Sequence, residues 1–373
     1  MGKAFGLPGR VYTDPSAYDL ERRTLFVKTW VAATVASELP NPGDVFPVQV
    51  AGWPLVLVRD ENGEINGFHN ICRHRGATVV TKACTVPVLR CPWHGWNYAL
   101  DGTLKGTPEF GGAGEHDVDI PIAEQHLARV RVEQWFDILF VNIDGNAPPL
   151  EEYLSAFLER FSGVGFDAMK RGGDWETSYP CNWKLAIESG IEDYHLPFLH
   201  PSITQGATRG ERSYVEAQGN MFLVAGISKD MWSKGRRADG LPILPSITGL
   251  NGDDASSLFF MNLFPSAVVG IVPNSMYIAL WLPEGHESTR LRFYHYFSGE
   301  SALEARFQSA REHVIKSVQS VFLQDVPVVT SVQANMSSRD ELNLRTCFSP
   351  FWETGVLAFQ RAVVAAVGGV SDQ

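Results

Sequence analysis

An α+β fold in two parts is what this sequence predicts, and three features predict it. Short runs rich in β-branched and aromatic residues, punctuated by Gly, Asn and Asp, fill the stretch from about residue 40 to 145. A second set of alternating runs occupies 212–297, and a long helical periodicity at 302–337 follows, with a shorter one at 351–367. Strands followed by helices are the order expected of one antiparallel sheet covered by helices. At 373 residues the chain is long enough for two cores. The expected division is an N-terminal helical segment at 1–39, a small all-β domain at 40–145 and a larger domain at 146–373.

In chain order, Asp14-Pro15-Ser16 caps a helix that carries Tyr18, Leu20, Leu25, Phe26 and Trp30 into the core. Strands are expected at 46–50, 55–59 and 65–69, with a turn at Glu61-Asn62-Gly63. A hairpin about Asp101-Gly102 and a last pair at 127–132 and 138–142 close the first unit. Gly145-Asn146-Ala147-Pro148-Pro149 reads as a boundary, with a helix at 150–161 after it. Single strands are expected at 212–225, 257–271, 276–282 and 289–297, and Pro327 is expected to kink or break the long helix.

The composition, 45% hydrophobic and 20% charged, is that of an ordinary globular protein. No run of 18 apolar residues and no basic, apolar leader in the first nine residues is present, so no membrane partner and a cytoplasmic location are expected. A net charge of −11 argues against nucleic acid or an anionic membrane as partner. The cysteine count is odd, five, and Cys84, Cys181 and Cys347 read as reduced thiols.

The other two cysteines carry chemistry. Cys72 has His74 two residues on, in Cys-Arg-His-Arg-Gly, and Cys91 has His94 three residues on, in Cys-Pro-Trp-His-Gly-Trp. Two thiolates can hold one iron of a [2Fe–2S] cluster and two neutral imidazoles the other, which is the Rieske arrangement. Gly76 and Gly95 follow each pair where tight loops are needed, and Trp93 and Trp96 can shield the cluster. Structural zinc also uses two Cys and two His, but with like residues paired, C-x2-4-C and H-x3-5-H.

A second constellation lies in the run from Asn182 to Pro201, where His195 and His200 flank Pro197. Five apart, they would diverge on a straight helix, and the proline lets the second imidazole swing back. Two imidazoles and one carboxylate form the facial triad that binds non-heme Fe(II) with positions left open. Asp325, flanked by Val321, Phe322, Leu323 and Val326, is the expected carboxylate, with Glu188 or Asp193 next and Asp340 a weaker candidate. Phe198, Phe222, Phe259, Met261 and Trp281 read equally as pocket wall or as core.

Together these two signatures make the chain resemble the oxygenase (alpha) subunit of Rieske non-heme iron oxygenases, the aromatic ring-hydroxylating dioxygenase family, over essentially its whole length. The resemblance implies a Rieske [2Fe–2S] β domain joined to a helix-grip catalytic domain against which the N-terminal helix packs. It implies His195, His200 and Asp325 as ligands of mononuclear Fe2+, and O2 as co-substrate. Electrons would come from a reductase or ferredoxin fed by NAD(P)H. It also implies a homotrimer in which a carboxylate three residues before the first His carries electrons between subunits. That position is Glu192, where many ring dioxygenases carry Asp, a departure shared with carnitine and quaternary-ammonium monooxygenases. The expected activity is mono- or dioxygenation of a small organic substrate, an aromatic compound or a methylated or quaternary amine. The alternative, a pure Rieske electron-transfer protein, leaves His195, His200 and Asp325 without a purpose.

Overall fold

The computed structural model describes residues 5–116, 121–201, 214–227 and 240–368. They fall into two units: Phe26–Leu150, and Met1–Leu25 together with Glu151–Gln373. Among the described residues no helix is long and apolar enough to cross a membrane.

The Phe26–Leu150 unit is all β. Its strands are β1 (Val31–Val35), β2 (Asp44–Val50), β3 (Trp53–Arg59), β4 (Ile65–His69), β5 (Cys84–Thr85), β6 (Leu89–Arg90), β7 (Asn97–Tyr98), β8 (Leu104–Gly106), β9 (Arg129–Trp135) and β10 (Ile138–Asn142). Seven form one sheet in the order β1-β10-β9-β4-β3-β2-β5, and β6-β7-β8 form a small second sheet. Ala51 and Gly52, both at positive φ, make the tight turn that joins β2 to β3. The Asp60 carboxylate accepts from the N–H groups of Asn62 and Glu64 and so fixes the turn before β4. Strand β1 lies before residue 40, where the sequence suggested none. Its five residues are all buried, and Val31, Ala32, Thr34 and Val35 pair with β10 around a bulge at Ala33, so uniform burial hides the alternation that marks a strand.

The second unit is built on a sheet of seven antiparallel strands: β11 (Met169–Tyr179), β12 (Tyr214–Gln218), β13 (Met221–Ile227), β14 (Ser257–Leu263), β15 (Ala267–Val272), β16 (Ser275–Gly285) and β17 (Ser288–Ser298). Their order is β11-β17-β16-β15-β14-β13-β12. Among the described residues the α-helices are α1 (Arg10–Thr13), α2 (Pro15–Lys28), α3 (Leu150–Tyr153), α4 (Ser155–Arg160), α5 (Trp183–Glu188), α6 (Leu196–Leu199), α7 (Gln308–Glu341) and α8 (Thr354–Ala366). The stretch expected as one helix at 150–161 is two short ones, broken at Leu154. The runs expected as single strands at 212–225 and 257–271 are each two strands folded back on themselves, at Gly219-Asn220 and at Phe264-Pro265-Ser266. Arg212 lies outside the described residues.

Helix α7 runs through Pro327 without a break. The proline removes one helical N–H, and Leu323, whose carbonyl loses that donor, sits on the exposed side where water can replace it. The other side, with Val314, Phe322, Asp325 and Val329, is buried. The hydroxyl of Tyr179 at the end of β11 donates to the Phe322 carbonyl at 2.6 Å and pins the helix to the sheet. Beneath α5 an ion pair ties the N-terminal segment to the catalytic unit. Lys184 Nζ lies 2.5 Å from Glu21 Oε1, both residues buried, and Trp183 Nε1 donates to the other Glu21 oxygen at 2.8 Å. Removing one partner of such a pair costs about 3–5 kcal/mol, because the other charge is left buried alone.

Candidate metal centres and a buried cavity

Two loops of the Phe26–Leu150 unit have the same hydrogen-bond plan. The Gly76 N–H donates to the Cys72 carbonyl and the Cys72 N–H to the Ala77 carbonyl, while Gly95 donates to Cys91 and Cys91 to the Trp96 carbonyl. Both glycines take positive φ, +79° and +71°, a conformation an L side chain resists. Cys72 and Cys91 are buried in one cluster, and the His74 and His94 rings stand 4.6 Å apart, so four ligand-type side chains meet at the loop tips. Buried His74 Nδ1 has no hydrogen-bond partner among the described residues, as suits a nitrogen meant for a metal. Burial, with His94 and Arg75 nearby, lowers the His74 pKa, which favours the neutral imidazole. His74 stacks on Trp96 at 4.9 Å, while Trp93 lies against His94 at 4.5 Å and is half exposed.

Sequence reasoning missed two residues here. The Tyr98 hydroxyl lies 3.3 Å from Cys72 Sγ and accepts the Arg73 N–H at 3.1 Å. Asn70 clasps the loop, its Oδ1 accepting from Val79 and Val80 and its Nδ2 donating to the Val80 carbonyl. Neither has a spacing that marks it out, because both act through folded loop geometry. Cys84 is exposed on β5 and has no place in the site.

In the catalytic unit His195 and His200 bracket the single turn of α6, with Pro197 in its first turn. The two imidazoles therefore cap the ends of one helical turn, and no longer helix needs to be bent, contrary to the sequence expectation. Their rings stand 5.2 Å apart, and Asp325 comes from α7 to meet them, its Oδ1 2.8 Å from His200 Nε2 and 3.8 Å from His195 Nε2. One ligand atom from each of the three lies within 4.8 Å of the others, and His200 and Asp325 are buried. The outer nitrogens are occupied: Nδ1 of His195 hydrogen-bonds Glu192, and Nδ1 of His200 lies 2.8 Å from Gln324 Oε1. Each imidazole thus turns Nε2 toward Asp325, the donor set and orientation that suit a divalent iron with open positions. Burial alone would lower the His195 pKa, but Glu192, Asp325 and Asp193 raise it on balance, a sign of the negative field that favours a cation there.

The other candidate carboxylates lie elsewhere. Glu188 accepts from the Tyr12 hydroxyl at 2.8 Å and from Gln360 at 3.0 Å, and Asp340 accepts the Gly9 and Arg10 N–H groups at 2.6 Å. Asp193 is buried and contributes to the field at His195 without joining the three-residue group.

A cavity of about 320 Å³ opens onto the triad between the sheet and α7. Its floor follows from the register: Val224 pairs with Phe260, Phe260 with Gly270 and Gly270 with Tyr277, so their side chains share one face. Gly270 is small for a reason, since a Cβ there would stand 2.0 Å from the Tyr277 ring. Phe322 of α7 faces Phe260 at 5.8 Å and Tyr277 at 6.1 Å, which makes a three-sided aromatic wall. Of the five aromatic and sulfur residues left open by the sequence, Phe259 lines the cavity, Phe222, Met261 and Trp281 are core, and Phe198 is 74% exposed.

Comparison with known proteins fits this geometry. Residues 166–369 match the ring hydroxylating alpha subunit (catalytic domain) model, and residues 29–121 match the Rieske [2Fe-2S] domain. The chain is 28% identical over 345 residues to the carnitine monooxygenase oxygenase subunit of Escherichia coli, over 90% of this chain and 86% of that one. To the glycine betaine monooxygenase oxygenase subunit of Chromohalobacter salexigens it is 33% identical over 198 residues, 53% of this chain and 43% of the other. Among solved structures, the quaternary ammonium Rieske monooxygenase CntA with L-carnitine superposes with a TM-score of 0.79 at 23% identity, over 98% of this chain and 96% of that one. Naphthalene 1,2-dioxygenase from Rhodococcus bound to indole gives 0.76 at 19%, over 98% and 95%. These two likenesses show a shared fold.

Proposed function

Because the chain belongs to the ring-hydroxylating alpha-subunit family, we propose that it is the terminal oxygenase of a multicomponent system that hydroxylates a small apolar organic substrate. The chain is a Rieske oxygenase catalytic subunit, with a [2Fe–2S] cluster and a mononuclear iron site at His195, His200 and Asp325. When bound, the cluster passes single electrons and the ferrous ion activates O2. Hydroxylation of a C–H bond takes one O2, two electrons and two protons and gives an alcohol and water. The electrons come from NAD(P)H through a separate reductase or ferredoxin.

The observation that carries the reading is the triad at the end of an apolar, aromatic-walled cavity. Phe260, Tyr277 and Phe322 exclude water and present a flat apolar surface to a ring or alkyl carbon. A second reading, oxidation next to the nitrogen of a methylated amine, is supported by the same three rings, which can surround a cation. Cys72, His74, Cys91 and His94 are the cluster ligands in this proposal.

Glu192 is assigned the bridge between subunits. Through its hydrogen bond to His195 Nδ1 it orients one iron ligand, and in this assignment it also accepts from His94 of a neighbouring chain in a ring-shaped homotrimer. Around it lies an exposed aromatic surface, with Tyr194 stacked on Trp352 and Phe351 packed against Trp352. Such a patch supports an intersubunit face. The test of the whole assignment is Asp325→Ala with the purified protein. Mononuclear iron and product should be lost while the cluster spectrum persists; full iron content would assign the third ligand to another carboxylate.

A further inference from the structure

One polar group interrupts the sheet side of the cavity. The described sheet residues that line it are Val224, Leu258, Phe259, Phe260, Val272 and Tyr277, and of these only Tyr277 carries a polar atom on its side chain. Tyr277 is 5% exposed, and its hydroxyl is buried with no hydrogen-bond partner among the described residues. Buried hydroxyls are ordinarily paired, because one left unpaired has given up water without a replacement. Packing gives no reason for a phenol here. A Phe ring would fill nearly the same volume, meet Phe260, Phe293 and Phe322 in the same way, and leave no orphaned atom.

The register shows where the hydroxyl stands. Tyr277 pairs with Gly270 on one side and with His295 on the other. A Cβ at Gly270 would collide with the Tyr277 ring and with its hydroxyl oxygen, so the phenol reaches across β15, toward Phe260 and away from β17. His295 Nδ1 is also buried and without a partner among the described residues, but its strand is two removed from β15, about 10 Å at the usual spacing, so the two groups do not meet. The open space that the Tyr277 side chain borders is the cavity. The hydroxyl is covered in this structure, and a side-chain adjustment of the kind that accompanies binding brings it to the cavity surface. Burial pushes the phenol well above its ordinary pKa, so it stays a neutral donor across the working range. Phe322, 6.1 Å from Tyr277, precedes the iron ligand Asp325 by three residues, a rise of about 4.5 Å. The phenol therefore stands within about one turn of α7 from the triad.

Resting on the apolar-substrate reading above, we propose that Tyr277 is a specificity-determining residue: its hydroxyl donates to a carbonyl or hydroxyl oxygen on an otherwise apolar substrate and so fixes which carbon faces His195, His200 and Asp325. The preferred substrate is thereby an oxygen-bearing ring or alkyl compound and not a plain hydrocarbon. The bond is made only on binding, so an occupant with an oxygen in the right place recovers what folding left unmade.

The test uses holoenzyme with the cluster oxidised and no reductant, so that binding is read apart from turnover. Two pairs of probes matched in shape are titrated by calorimetry into wild type and Tyr277→Phe: acetophenone against α-methylstyrene, and benzyl alcohol against ethylbenzene. In each pair the second member has a carbon where the first has its oxygen. The affinity ratio of the oxygen-bearing member to its match should fall about tenfold in the variant, about 1.4 kcal/mol, with the loss confined to the oxygen-bearing member. Thermal unfolding without ligand is the second readout. Because the hydroxyl has no partner to lose, Tyr277→Phe should melt no lower than wild type. A ratio unchanged by the substitution overturns the proposal, as does failure of both oxygen-bearing probes to bind the wild type. A variant that melts lower means that the hydroxyl is held within the protein, by a buried water for example, and overturns it as well. Turnover with reductase and NADH separates the two levels. Product from the probes with the same ratio in both proteins leaves the oxygenase reading standing and removes the Tyr277 anchor. A ratio that falls in the variant, with no product from any probe, upholds the anchor and removes the apolar-substrate reading.

Discussion

Replacing Tyr98 by Phe should lower the reduction potential of the cluster without releasing it. The Tyr98 hydroxyl lies 3.3 Å from the Cys72 sulfur, and Tyr98 is buried. Burial, with the Cys72 hydrogen bond, pushes the phenol well above its ordinary pKa, so it remains a neutral donor at every working pH. Reduction adds negative charge to the cluster and its sulfur ligands, and a hydrogen bond to sulfur strengthens with that charge. A neutral bond contributes about 1 kcal/mol net and one to a charged group about 1.5–3 kcal/mol. The gain on reduction is therefore on the order of 1 kcal/mol. For a one-electron couple a tenfold change, about 1.4 kcal/mol, corresponds to about 59 mV, so the expected drop is about 40 mV or somewhat more. A redox titration followed by EPR of the reduced cluster reads it directly. The Phe ring fills nearly the same volume, so cluster content should stay at the wild-type level. An unchanged potential at full content would mean that the hydroxyl serves only the Arg73 N–H.

Three further outcomes are expected. Gln324→Leu takes away the acceptor for His200 Nδ1, and mononuclear iron affinity should fall about 10–100-fold, the usual effect of losing a ligand's orienting partner. Gln324→Glu, which keeps an acceptor, should restore it, and equal affinity in all three proteins would refute the orienting role. Glu192→Gln should retain both metals and accept electrons from the reductase, yet slow single-turnover oxidation of the cluster with substrate and O2 by orders of magnitude; a wild-type rate would place the bridge elsewhere. Burial raises the Glu188 carboxyl to about 7 from 4.5, so folding favours its protonated form. The stability this contributes is complete below about 4.5 and is lost as pH rises through about 7, roughly 3 kcal/mol at 1.36 kcal/mol per unit. Glu188→Gln, still able to accept from Tyr12 and Gln360, should flatten urea-unfolding stability between pH 5 and 8; a slope equal to wild type would assign the pH dependence to other groups.

Much of the site was legible in the sequence because metal ligands declare themselves by residue type and spacing. Cys72, His74, Cys91 and His94 come from two local loops, and His195 and His200 from one helical turn. Asp325 is 125 residues from His200, and only its apolar neighbours on α7 pointed to burial. Partners that act through the folded backbone were not legible: Tyr98 and Asn70 at the cluster, Gln324 behind His200. The fold shows the same division. Hairpins with Gly or Asn turns, such as β3 and β4, stood out by alternation, whereas β11 did not. Its sequence, Met-Lys-Arg-Gly-Gly-Asp-Trp-Glu-Thr-Ser-Tyr, carries two glycines and four charged residues because an edge strand buries little. Tertiary pairing with β17 along ten residue pairs, not local pattern, holds it in the sheet. Pro327 misled in the other direction, since a helix packed along one whole side tolerates the loss of a single solvent-side hydrogen bond.

The buried pair of Glu21 with Lys184 joins positions 163 residues apart, and the entire cluster-binding unit, Phe26–Leu150, is encoded between them. On the ribosome, that intervening unit is complete in the emerging chain before Lys184 has been translated. Domains fold as units during synthesis, so the cluster unit is free to close first while α2 waits with an unpaired carboxylate. The catalytic unit then forms late, through a loop closure of high contact order and correspondingly slow kinetics. The four cluster positions between Cys72 and His94 therefore leave the ribosome before His195, His200 and Asp325 have been made.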